Sequence, residues 1–205
     1  MRKRLLVALV LALILVALPV VSALAGNIFH FSGQSADAFF SSTDPSGCIG
    51  TFVAAFATDG RFQSPPGPGS TSSGAFVGIA QFNFCTGVLL MDAFGSASLA
   101  DPDFQVSRDL TSATLNTTLL VVDSVSGSTF SVDVDLTWTG TSALSRSNSH
   151  FHFQSPGFIV NGHFNGASRF AEASGSVTIG ATNFTPGPSD FAQISSAKSG
   201  EVTVD

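Results

Sequence analysis

Tyrosine is absent from this 205-residue chain, and tryptophan occurs once, as Trp138. A sugar-binding face usually presents exposed Tyr or Trp, whose flat rings carry a polar handle, so this shortage counts against carbohydrate recognition. Basic side chains are equally scarce. Beyond residue 25 they are Arg61, Arg108, Arg146, Arg169 and Lys198 only, against all 14 acids, and the formal charge without residues 1–25 moves from −6 to −9. So few cations cannot form a phosphate-tracking groove, which excludes nucleic acid as a partner and disfavours anionic membrane surfaces. The acids are 12 Asp with Glu172 and Glu201. Asp suits turns and strand ends, whereas Glu and Lys support helices, so little helix is expected.

Long apolar runs are missing after residue 26, and the one before it is short. Arg2, Lys3 and Arg4 precede an unbroken apolar stretch from Leu5 to Leu18, and Ala23-Leu24-Ala25 closes it. That order reads as a secretory signal peptide over 1–25, cleaved before Gly26. The run falls short of the ~20 residues that span hydrocarbon, and no transmembrane anchor is expected once it is removed. The expected product is 26–205, a single secreted β-domain, extracellular or periplasmic in a Gram-negative source; the compact signal suggests bacterial export. In that compartment the even pair Cys48 and Cys85 reads as a disulfide. Asn116-Thr117-Thr118 and Asn183-Phe184-Thr185 fit glycosylation acceptors, which matter only in a eukaryote.

Phenylalanine is what the chain has in quantity, with 20 residues. The dominant period is two. Phe130, Val132, Val134, Leu136 and Trp138 alternate with Ser131, Asp133, Asp135, Thr137 and Thr139, the pattern of a strand with one buried face. Ser124-Val125-Ser126-Gly127 separates it from a weaker stripe at Leu115, Leu119 and Val121, which predicts a long hairpin. Further strands are expected over 34–42, 48–57, 74–84, 88–98, 104–107, 148–154, 158–165, 174–179, 191–196 and 200–204. The predicted fold is all-β, a single antiparallel β-sandwich of Ig-like or jelly-roll type, with a closed β-barrel as the alternative. The predicted core comprises Phe52, Phe76, Phe82, Phe84, Leu115, Leu119, Phe130, Val132, Val134, Leu136, Trp138, Phe151 and Phe153. The Pro/Gly-rich stretch 64–70 lies between the two cysteines, so it reads as a surface loop and not an interdomain linker. Phe62-Gln63-Ser64-Pro65 recurs as Phe153-Gln154-Ser155-Pro156, too short to mark a duplication.

The most specific chemical pattern is His150-Phe151-His152 with His163. If Pro156-Gly157 is the turn, His152 opposes Asn161 and His150 opposes His163, placing three imidazoles on one face. Such a group could hold Zn²⁺ or Cu²⁺. Equally, Asn148, His150, His152 and Gln154 are the wet stripe of an amphipathic strand, and a turn at Asn161-Gly162 would dissolve the group. A pH-sensitive patch is a third reading. Asp101 with Asp103, and Asp133 with Asp135, could contribute to a Ca²⁺ site, although no twelve-residue calcium loop is present. No catalytic residue and no cofactor is expected, because nucleophile and phosphate-binding signatures are missing. Sparse charged residues favour a secreted non-enzymatic binding or surface-interaction protein with an extracellular partner. The alternatives are a carrier of a small apolar ligand, or a metal-binding protein or metalloenzyme built on His150, His152 and His163.

Overall fold

The computed structural model describes residues 27–63, 70–155 and 158–204. The expected signal peptide, the loop at 64–69 and the pair Pro156-Gly157 lie outside the described residues, as do the side chains of Phe151 and Phe153. Every element is a strand: β1 Asn27–Thr43, β2 Ile49–Gln63, β3 Ser70–Asn83, β4 Val88–Ser98, β5 Phe104–Val106, β6 Ser112–Asp123, β7 Thr129–Gly140, β8 Ser145–Ser155, β9 Phe158–Ile179, β10 Thr182–Phe184 and β11 Phe191–Val204. Among the described residues no helix is long and apolar enough to cross a membrane.

All strands join one antiparallel sheet, and its ladder returns on itself. β9 pairs with β11, β11 with β1, then β1–β2–β3–β4, β4 with β6, β6 with β7, and β7 with β9. The all-β antiparallel expectation holds, and this closure follows its barrel alternative, with β1–β4 and β6–β7 as facing walls. The narrowest seam is β4–β6, paired only at Ala93–Asp123 and Phe94–Val122. β5 extends β6, β10 pairs with the end of β9, and β8 lies along the first half of β9.

β9 runs unbroken for 22 residues, where the sequence suggested two strands. The expected segments were 158–165 and 174–179, and Gly166 follows the first of them. In the sheet it is a close-approach position: a Cβ there would collide with the Ser196 carbonyl oxygen. Glycine inside a strand often has this meaning. β11 is likewise continuous through the two predicted segments, with an irregularity between Ala197 and Ser199.

The interior is filled from the β6–β7 wall. Leu115, Leu119, Val121, Val132, Val134, Leu136 and Trp138 are fully buried, and Phe130 packs against them half-buried. Trp138 crosses the core and donates Nε1–H to the Asp37 carbonyl oxygen at 2.9 Å. The opposite wall makes room for it with small side chains. Ala36, Ala38, Ala55, Ala57 and Ala75 are all buried there, beside Val53, Val77 and Ile79. An eight-stranded ring has an interior just wide enough for side chains, so bulk on one wall requires small residues on the other.

That requirement corrects the predicted core at β2 and β3. Because Val53, Ala55 and Ala57 point inward, Phe52 and Phe56 point outward, since side chains alternate along a strand. Phe52 is 48% exposed and Phe84 55% exposed, while Phe76 and Phe82 are half-buried. On β2 and β3 the phenylalanines sit outside, and Val53, Ala55, Ala57, Ala75, Val77 and Ile79 sit inside.

Candidate functional site

The outer face of β9–β11–β1–β2–β3–β4 carries the aromatic residues that the interior does not admit. Pairing sets them in rows. One row runs Phe170, Gln193, Asp37, Phe56, Phe76 and Ser96 across successive strands. The next runs Phe191, Phe39, Ala54, Gly78, Phe94 and Val122. Phe94 is 50% exposed and Phe170 59% exposed. The rings contact one another sideways. Phe170 meets Phe191 edge-on, with centroids 6.0 Å apart and planes at 82°. Phe39 and Phe191 are also 6.0 Å apart, tilted at 48°.

At the other end of this face Phe84 lies between Phe52 and Phe82, at centroid distances of 6.4 and 5.3 Å. Its ring covers Gly50, where any Cβ would collide with it. The Cys48–Cys85 disulfide adjoins this cluster, with Cα atoms 5.2 Å apart and a sequence separation of 37. Val88, Leu89, Leu90, Leu120 and Val122 extend the exposed apolar surface.

Asp37 stands within this aromatic face. Phe56 and Gln193 oppose it on the two flanking strands, and Phe39 follows it two residues on. Its carboxylate makes no hydrogen bond or ion pair among the described residues, and burial pushes its pKa up from 3.8 to about 7. The other acids on the face are Asp92, which accepts from Ser124 Oγ at 2.9 Å, and exposed Glu172. Arg61 and Arg169 belong to the opposite side of their strands, in register with Ser32 and Ile194. Lys198 lies at the β11 irregularity.

The histidine register is the one expected from a turn at Pro156-Gly157. Ser155 pairs with Phe158, His152 with Asn161 and His150 with His163. The His150 and His163 rings lie 4.5 Å apart at their centroids, inclined by 31°. His152 Nδ1–H donates to Asn161 Oδ1 at 2.7 Å, and His163 Nε2–H to Asn148 Oδ1 at 2.8 Å. These bonds turn two of the imidazoles toward amide partners. Among the described residues no group of three or more His, Cys, Asp or Glu side chains could hold a metal. The same backbone row continues from His163 through Glu201 to His30, so all four histidines of the chain share one end of the sheet.

Two of the acids weighed for calcium are engaged within the fold. Asp133 Oδ1 accepts from Thr118 Oγ1 at 2.7 Å, and Asp103 Oδ2 accepts from the Ala100 amide at 3.0 Å. Asp123 was not singled out by sequence, yet it is buried. Its carboxylate accepts from the Asp92, Val125 and Ser126 amides and from Ser126 Oγ. The Ser126 hydroxyl, then the Asp92 amide, holds its pKa below the ordinary carboxylate value. An Asp immediately before a Ser-x-Ser-Gly turn was the available signal.

No protein-family model and no curated protein matches the chain. Among solved structures, a Nitrosomonas europaea protein provisionally named AttH is similar over 87% of this chain and 51% of its own, at 12% identity and a TM-score of 0.27. This chain therefore spans about half the length of that protein, and a likeness at that score carries no argument about function.

Proposed function

We propose that this is an exported, non-enzymatic binding protein whose contact surface is the aromatic outer face of the barrel. The observation that carries the reading is the placement of Phe52, Phe84, Phe94 and Phe170, each about half-exposed or more on one side of the sheet. A phenylalanine left half in water gains only part of its burial energy there and is well suited to desolvation by a partner. The Cys48–Cys85 bridge fits an oxidising compartment. A carrier with an internal cavity is the weaker reading, because the interior positions facing Trp138 are closed by alanine and aliphatic side chains.

The test is binding of a neutral apolar probe, Nile red, to the mature protein and to the triple variant Phe52→Ser, Phe84→Ser, Phe94→Ser. The reading expects probe fluorescence to fall several-fold in the variant while the circular dichroism spectrum is unchanged. Equal probe binding by a folded variant would remove the face from consideration.

A further inference from the structure

The outer face has one feature that a purely apolar docking surface should lack. Asp37 is an acid with no partner among the described residues, set between Phe56, Gln193 and Phe39. Desolvating a carboxylate without pairing it is unfavourable, and such groups cluster where a ligand supplies the missing charge. The rings beside it are not parallel. Phe191 stands at 82° to Phe170 and at 48° to Phe39, with both centroid separations 6.0 Å. Phe191 thus joins Phe170 and Phe39 in one aromatic cluster that offers both ring faces and ring edges. In register that cluster adjoins Asp37, because Gln193 opposes both Phe170 and Asp37, and Phe191 opposes Phe39.

Resting on the binding-face reading, we propose that Asp37 with Phe39, Phe170 and Phe191 forms a site for an organic cation bearing a quaternary or protonated amine. Ring faces attract such a cation through their quadrupole when it lies within ~6 Å of the centroid. The carboxylate supplies the counter-charge, and Gln193 a neutral polar edge. Charge on the face is of one sign: Asp37, Asp92 and Glu172 share it, the arginines of these strands lie on the other side, and Lys198 sits apart at the β11 irregularity. An anion would meet repulsion here, and a neutral ligand would leave Asp37 uncompensated.

The experiment is calorimetric titration of the mature protein with choline and with its neutral isostere 3,3-dimethyl-1-butanol, at pH 8 and low salt. Choline should bind ~10-fold or more tightly than the alcohol, as a desolvated cation–ring contact allows. Asp37→Asn should abolish that preference, and Phe191→Leu should reduce it while preserving bulk. Asp92→Asn and Glu172→Gln should retain it. The preference should also fade as pH falls below about 7, where Asp37 takes up its proton. Equal binding of the two probes, no choline binding, or an unaltered preference in Asp37→Asn would each overturn the proposal. Nile red separates the two readings. If it binds while choline is not preferred, the cation site fails and the apolar face stands; if neither binds, both fail.

Discussion

Asp37→Asn should stabilise this protein, and only above mildly acidic pH. The native carboxyl has its pKa raised from 3.8 to about 7 by burial among apolar side chains. A raised acid pKa means that the folded state holds the proton more tightly than the unfolded chain. Stability is therefore greatest below 3.8 and declines as pH rises through about 7, where the folded state must carry the bare charge. At about 1.4 kcal/mol per pH unit, the interval sets a ceiling of about 4 kcal/mol. The side chain keeps part of its surface in water, which brings the expected gain to about 1–3 kcal/mol. Asparagine is nearly isosteric and never ionises, so it relieves the penalty without altering the strand. Asp44, Asp109 and Asp123 have lowered pKa values from hydrogen bonding, but they are common to both proteins and cancel. The assay is urea unfolding of wild type and Asp37→Asn at pH 4 and pH 8. The variant should match wild type at pH 4 and exceed it at pH 8. Equal differences at both pH values, or a destabilised variant at pH 8, would refute the claim that Asp37 is an unpaired, desolvated acid.

Three further outcomes follow from the packing. Replacing both Cys48 and Cys85 by alanine should lower stability by up to about 4 kcal/mol, the loop-closure value for a separation of 37 residues, as read by denaturant midpoint. Ala55→Phe should destabilise by about 1–3 kcal/mol or more by overfilling the core, whereas Phe94→Ser should change stability by less than about 1 kcal/mol in the same assay. Trp138→Phe should cost about 1–3 kcal/mol and lower the thermal midpoint, because it shrinks the side chain filling the core and leaves the Asp37 carbonyl without its 2.9 Å donor.

The sequence was most legible where polarity and period agreed. In β7, Asp133, Asp135 and Thr137 could only face water, so Val132, Val134, Leu136 and Trp138 had to face inward, and they do. The histidine register was readable because the strand residues on either side of Pro156-Gly157 pair outward one by one. In β2 and β3 both faces are apolar. Phe52 and Phe56 alternate with Val53, Ala55 and Ala57, and period two alone cannot say which set is inside. Size suggested the phenylalanines; the volume already taken by Trp138 selects the alanines. A one-residue difference in facing then reverses every side chain on the strand. Asp37 between the buried Ala36 and Ala38 was an available mark of the outer face of β1 that the strand pattern alone did not bring out. Carrying that mark to Phe56 and on to Phe76 required the register, which no single strand contains. The pairing of Asp37 with an aromatic neighbourhood was invisible for the same reason.

Hydroxyl-radical footprinting of the purified protein, read residue by residue by mass spectrometry, addresses the outward placement of these phenylalanines most directly. Phe52, Phe84, Phe94 and Phe170 should oxidise readily, while Phe40, Phe104 and Phe184, each under 10% exposed, should be protected. Protection of the first group to the level of the second would place those rings in the core and contradict the proposed binding face.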